Sequence, residues 1–154
     1  MTGKIDAKLA ELGIILPQVV APVANYVPFV RTGNLVHVSG QISNGPDGFI
    51  TGRLGAGMDV ATGAEAARAS GLALIAQVRA ACDGDLDRVV RVVKLVAFVN
   101  SAADFTDHAK VVNGASDLMV AVFGDAGRHA RSSVGVAALP LGVAVEIEGI
   151  FEVA

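Results

Sequence analysis

Alternating apolar and polar positions predict several β-strands along this chain. The clearest pattern runs from Leu35 to Ile42, where valine and isoleucine alternate with histidine, serine and glutamine. Phe29–Thr32 is predicted to pair with this strand through a turn at Gly33-Asn34. Three further strands are predicted at Arg88–Asn100, Ala130–Leu139 and Val143–Val153.

Apolar positions spaced three or four residues apart predict helices between these strands. A short helix is predicted over Lys4–Gly13, with the glycine at its end. Another is predicted over Phe105–Phe123, opened by Ser101 or Asp104 and closed by Gly124.

The longest helical pattern covers Asp59–Cys82, with Asp59 as a plausible N-cap. A narrow stripe of small residues along this helix suits close contact with a sheet. The segment before it, Asn44–Gly57, is rich in glycine but lacks the Gly-Lys-Ser/Thr ending of a phosphate-binding loop. We therefore expect that segment to be a mobile connection.

The order of these elements predicts an α+β architecture, with two helices on one face of a mixed sheet of about four to six strands. Arg88–Asn100 is apolar on both faces beyond Lys94. The apolar side chains on its second face must also be buried, and packing against a partner subunit is one way to bury them. Residues 1–25, interrupted by Pro17 and Pro22, are predicted to form a helix and an extended strap across a main domain of residues 26–154.

Composition narrows the class of protein. Hydrophobic residues make up 53% of the chain, charged residues 18%, and the formal net charge is −3. These values argue against a disordered chain and against a surface that coats nucleic acid. The single cysteine, Cys82, cannot form an internal disulfide, and the three histidines are scattered, so we expect no metal site. Without a long apolar run, we expect a cytoplasmic protein with no signal peptide and no membrane span.

A few side chains are candidates for chemistry. Arg131 and Ser133 share one strand face, where an arginine suits either bidentate capture of a carboxylate or an ion pair with a neighbouring glutamate. Glu146 begins a run of three alternating glutamates, a pattern typical of a solvated face. Ser39 is either a strand serine satisfied by backbone or a cleft residue. The histidines are interpreted as surface or packing residues: His37, His108 and His129.

Two segments of the chain occur together in the order and spacing of a known family. One is Arg131–Pro140 (RSSVGVAALP), followed by Val145–Glu148 (VEIE), and the other is Gly33–Ile42 (GNLVHVSGQI). Together they resemble the RidA/YjgF family of enamine/imine deaminases, which older usage labels endoribonuclease L-PSP or translation inhibitor. The resemblance runs from about Tyr26 to Val153.

This resemblance implies a chorismate-mutase-like fold and a homotrimer whose three clefts each lie between neighbouring subunits. Arg131 would bind the substrate carboxylate, Glu146 would hold a water, and Ser39 would bond the substrate or relay a proton. The implied reaction is hydrolysis of 2-aminoacrylate or 2-iminopropionate to a 2-oxo acid and ammonia, without a metal or cofactor. Three further positions are implied to line the cleft: Tyr26, Asn113 and Ser133.

The chain also departs from the family pattern. Ser133 stands where the family often has cysteine, and His129 stands where it usually has proline. The N-terminal stretch is extra, and the glycine-rich loop is longer. Substrate identity therefore stays open, and the alternative is a non-catalytic trimer that binds small carboxylates. A ribonuclease is disfavoured because the chain is acidic and shows no basic stripe interleaved with aromatic residues.

Overall fold

The computed structural model describes residues 2–19, 21–22 and 24–154, and within them it contains three α-helices and seven strands. In chain order these are α1 (Lys4–Glu11), β1 (Phe29–Thr32), β2 (Leu35–Ile42), β3 (Asn44–Gly45), β4 (Gly48–Phe49), α2 (Val60–Ala81), β5 (Val89–Asn100), α3 (His108–Phe123), β6 (Ala130–Val136) and β7 (Val145–Val153).

Five strands form one mixed sheet in the order β1-β2-β7-β5-β6. All neighbours are antiparallel except β5 and β6, which are parallel. Helices α2 and α3 pack on the face to which β5 presents the buried residues Leu95, Ala97 and Val99. The predicted α+β architecture and the pairing of β1 with β2 are confirmed.

The long helix begins as predicted, because the Asp59 carboxylate accepts a hydrogen bond from the Thr62 amide at 2.9 Å. The helix packs on the sheet as predicted, and its small residues also contact a second partner. A Cβ atom at Gly71 would lie 3.1 Å from the Leu118 side chain of α3, and a Cβ at Gly114 would collide with the Ala64 carbonyl. The small residues therefore bring α2 and α3 together, in addition to packing on the sheet.

The predicted start of α3 is wrong, since the helix begins at His108 and not at Phe105. Neither Ser101 nor Asp104 opens it, and Asp107 stands at the N-cap position. The preceding segment is held elsewhere: Ser101 forms a bridge with Leu54, and Phe105 meets the His108 ring edge-on. These contacts delay the helix by one turn.

Two strand boundaries also differ from the prediction. β6 ends at Val136 and not at Leu139, because Val136 pairs with Asn100, the last residue of β5. β7 begins at Val145 and not at Val143, because Val143 bridges to Thr51 in the glycine-rich segment instead.

The glycine-rich segment, residues 44–57, is more ordered than the predicted mobile connection. It contains the β3–β4 hairpin, and Leu54 within it is fully buried. The Leu54 amide donates to the Asn100 carbonyl at 2.9 Å, which ties the segment to the end of β5. This prediction is wrong because glycine content shows where the backbone can turn and says little about the tertiary contacts that hold it.

Helix α1 docks on the domain through its N-terminus. The Asp87 carboxylate accepts hydrogen bonds from the amides of Lys4 and Ile5, both at 2.8 Å, and so caps a helix 82 positions away. An ion pair between Asp6 and Arg79 at 3.2 Å adds a second tie. The division at residue 25 stays a prediction. None of the helices in the described part of the chain has the length and apolar character needed to cross a membrane.

Candidate functional site

The two central residues of the predicted site lie on opposite faces of the sheet. Arg131 on β6 pairs with Leu95, whose side chain is buried beneath the helices. Glu146 on β7 pairs with Phe98, which belongs to the other face of β5. Because strand side chains alternate between faces, one chain presents the guanidinium and the carboxylate to different surroundings.

The guanidinium of Arg131 is held against α3. Its Nη1 donates to Asn113 Oδ1 at 2.9 Å and to Ser116 Oγ at 3.0 Å, and its Nη2 donates to the Ala109 carbonyl at 3.4 Å. Asn113 and Ser116 are three residues apart, so they share one face of the helix. The structure thus brings Arg131 and Asn113 together, as expected for two residues of one site.

The strand order excludes one of the two interpretations of Arg131, an ion pair with a glutamate on a neighbouring strand. β5 lies between β6 and the glutamates of β7, so the carboxylates are not adjacent to Arg131. Of the five N–H groups of an arginine, Nε–H and one Nη2–H have no partner among the described residues. The Nε and Nη2 atoms lie along one edge of the guanidinium plane, and a carboxylate binds in bidentate fashion along such an edge.

Ser133 lies on the same face of β6 as Arg131, two residues further along the strand. Its hydroxyl oxygen is buried and has no hydrogen-bond partner in the described part of the chain. A buried hydroxyl without a partner carries a desolvation cost that a ligand could remove. Arg131, Asn113 and Ser133 are called the arginine group below.

Ser39, Gly40 and Glu146 form a second cluster, which is called the glutamate group below. A Cβ atom at Gly40 would collide with Glu146 Oε1, so the carboxylate lies directly against the backbone of β2. The Ser39 hydroxyl donates to the Val27 carbonyl at 2.7 Å, which satisfies its proton and leaves its lone pairs for another donor.

Tyr26 lies near two members of the glutamate group, Ser39 and Gly40. Its side chain is 56% exposed, and it lines a cavity of about 340 Å³ together with Ser39 and Gly40. Gln77 of α2 also lines this cavity, and its Oε1 is buried without a partner among the described residues. Sequence reasoning missed Gln77 because it lies within the apolar pattern of the helix.

Two residues beside the arginine group, Ser116 and His129, were also not predicted as site residues from the sequence. Ser116 bonds Arg131, and His129 Nε2 lies 2.9 Å from Ser116 Oγ. The spacing of Ser116 from Asn113 along α3 was a usable signal. The contact with His129 depends on how α3 packs on β6, and no local pattern reports that.

Burial raises the pKa of the Glu146 carboxyl, and the nearby negative charge of Glu148 raises that pKa further. A carboxyl with a raised pKa holds its proton closer to neutral pH than an ordinary glutamate. Such a group is suited to exchange protons with a bound water or substrate.

The raised pKa of Glu146 predicts a pH-dependent effect on stability. The folded state takes up a proton at higher pH than the unfolded state, so the ionised carboxylate destabilises the fold at neutral pH. We expect Glu146→Gln to raise the Tm at pH 7, and this gain to shrink as the pH falls towards about 4. Thermal unfolding of both proteins across this range measures it.

The matched control is Glu152→Gln, on the same face of β7, where the carboxylate accepts a hydrogen bond from Asn34 at 3.3 Å. This variant is expected to give no such gain at pH 7. A lower Tm for Glu146→Gln at every pH would contradict the assignment of a destabilising buried charge.

The fold and the site place the chain in the chorismate-mutase-like class of α+β proteins. The chain belongs to the YjgF/chorismate mutase-like family: the family model described as "YjgF/chorismate_mutase-like, putative endoribonuclease" matches residues 6–149. The family predicted from the two sequence segments is therefore confirmed.

Several relatives support this assignment over nearly the whole chain. Protein TCP17 of Trypanosoma cruzi is 52% identical over 98% of this chain and 95% of its own length. The structure of Atu1372 from Agrobacterium tumefaciens is 44% identical, covers 97% of this chain and 92% of its own, and has a TM-score of 0.90. Escherichia coli TdcF, solved with bound serine, is 27% identical over 91% of this chain and 98% of its own, with a TM-score of 0.61.

Proposed function

We propose that this protein hydrolyses small enamines and imines of the 2-aminoacrylate and 2-iminopropionate type to 2-oxo acids and ammonia. The observation that carries the proposal is the free edge of Arg131, since the other N–H groups of its guanidinium are already held by α3. A fixed guanidinium with one open edge is a binding site for a carboxylate. The serine bound to TdcF also carries a carboxylate.

A complete site requires two copies of the chain in this proposal. The arginine group and the glutamate group lie on opposite faces of the sheet, so one group faces the other only across a subunit boundary. The face of β5 and β6 away from the helices carries apolar side chains suited to such an interface, with Val134 47% exposed and Phe98 half-buried. We assign the assembly as a homotrimer with three clefts between subunits.

The chemistry needs only a positioned water and a proton acceptor. With the substrate carboxylate on Arg131, a water beside Glu146 attacks the imine carbon and gives up a proton to the carboxylate. A carbon–oxygen bond forms, and the nitrogen gains protons as the carbon–nitrogen bond breaks. Imine and water thus become the 2-oxo acid and ammonia, and Glu146 is regenerated.

A competition assay tests the proposal. An amino-acid oxidase acting on alanine generates 2-iminopropionate, and semicarbazide traps it. Catalytic amounts of the protein are expected to lower the yield of trapped product, and heat-unfolded protein is the control. An unchanged yield with correctly folded protein would refute the deaminase assignment for this imine.

A non-catalytic carboxylate-binding protein is the second candidate, favoured by the serine found in TdcF. Both candidates require Arg131 to bind a carboxylate, but only the deaminase requires Glu146 for turnover. Pyruvate binding that depends on Arg131, without any effect on the trapped product, would favour the binding protein.

A further inference from the structure

Four groups between α3 and β6 form a continuous chain of hydrogen bonds that starts at Arg131. Arg131 Nη1 lies 3.0 Å from Ser116 Oγ, and Ser116 Oγ lies 2.9 Å from His129 Nε2. The other ring nitrogen, His129 Nδ1, lies 2.6 Å from the Gly127 carbonyl. His129 is half-buried, and Gly127 is buried.

The direction of each bond follows from the chemistry of its two ends. A carbonyl oxygen only accepts, so the proton of the neutral imidazole is on Nδ1, and Nε2 is an acceptor. An arginine only donates, so Ser116 Oγ accepts from Nη1 and donates its own proton to His129 Nε2. Donation therefore runs one way along the chain, from Arg131 to Ser116 to His129 to Gly127.

We propose that His129 is a positioning residue for Arg131, acting through the hydroxyl of Ser116. This inference rests on the proposed function, in which Arg131 binds the substrate carboxylate. By accepting the Ser116 proton, the imidazole keeps the serine lone pairs turned towards Nη1. The Nε–H and the second Nη2–H of the guanidinium then stay available to the ligand.

The backbone fixes the position of the Gly127 carbonyl, which is the last acceptor in this series of hydrogen bonds. A Cβ atom at Gly127 would collide with the carbonyl of Met119 in α3, so only glycine lets the backbone pass this close to the helix. The Gly127 carbonyl is thereby held at one position relative to α3. His129 links that carbonyl to a serine of the same helix, which makes the imidazole a rigid spacer.

Two substitutions at His129 separate the roles of its ring nitrogens. The amide of His129→Gln reaches the position of Nε2 and still accepts from Ser116, whereas the amide of His129→Asn reaches only the position of Nδ1. We expect His129→Asn to raise KM and the Kd for pyruvate about fivefold to tenfold, with kcat within about twofold of wild type. His129→Gln is expected to stay within about twofold of wild type in KM, Kd and kcat.

Ser116→Ala tests the same series of hydrogen bonds, because it removes the hydroxyl that links Arg131 to His129. It is expected to weaken pyruvate binding as much as His129→Asn does, and the double variant is expected to be no weaker than either single one. In the wild-type protein, ¹⁵N chemical shifts of His129 are expected to report a protonated Nδ1 and an unprotonated Nε2. The opposite tautomer would overturn the inference.

Titration with pyruvate separates failure of this inference from failure of the proposed function. If Arg131→Ala leaves pyruvate binding intact, the proposed function fails, and this inference fails with it. If Arg131→Ala abolishes binding but His129→Asn and His129→Gln behave alike, only the positioning role is overturned. Equal losses of kcat and Tm in both His129 variants would assign the residue a structural role and would also overturn it.

Discussion

Arg131→Ala is expected to lower kcat/KM for 2-iminopropionate hydrolysis by about a hundredfold to a thousandfold. In the proposed site, the substitution removes both charge-assisted hydrogen bonds to the substrate carboxylate, which would hold the imine carbon beside a water at Glu146. Because α3 holds the guanidinium through its other N–H groups, the wild-type side chain is ordered before the substrate binds. The semicarbazide competition assay measures the loss directly.

Arg128 provides a matched control three positions earlier in the chain. It is exposed, and its Nε lies 3.6 Å from Asp125 Oδ1, so Arg128→Ala removes one positive charge without touching the arginine group. This control is expected to keep wild-type activity. A comparable loss in both variants would point to overall charge, and full activity in Arg131→Ala would refute the carboxylate-binding role.

Most of the fold could be predicted from local pattern. Alternation located β2, the turn at Gly33-Asn34 located its partner β1, and the apolar run beyond Lys94 located β5. The boundaries that were missed depend on partners distant in sequence. β6 stops at Val136 because β5 offers no residue beyond Asn100, and α3 starts late because the preceding segment is held by Leu54.

The candidate site could be predicted as a set of residues but not as a geometry. The two segments Gly33–Ile42 and Arg131–Glu148 supplied Arg131, Glu146 and Ser39 through their resemblance to a family. Whether these residues share a face depends on strand order, because β5 lies between β6 and β7. Ser116 was not singled out and His129 was interpreted as a surface or packing residue, because the contact between them arises only when α3 packs on β6.

Mixed assemblies of two inactive variants are expected to recover activity. In the proposed cleft, Arg131 comes from one subunit and Glu146 from the next, so Arg131→Ala and Glu146→Gln damage opposite halves of each site. In the proposed trimer, about a third of the sites in assemblies that contain both chains receive both intact halves. Co-expression with two different tags, followed by tandem purification and the semicarbazide assay, measures the recovery.

The control for this experiment is a mixture that cannot rebuild a site. Glu146→Gln chains mixed with the double variant Arg131→Ala/Glu146→Gln contain no intact Glu146 and are expected to stay inactive. If the first mixture also stays inactive although both tags co-purify, the two residues do not meet across a subunit boundary. Recovery in the first mixture alone would establish that each cleft takes its guanidinium and its carboxylate from different copies of this chain.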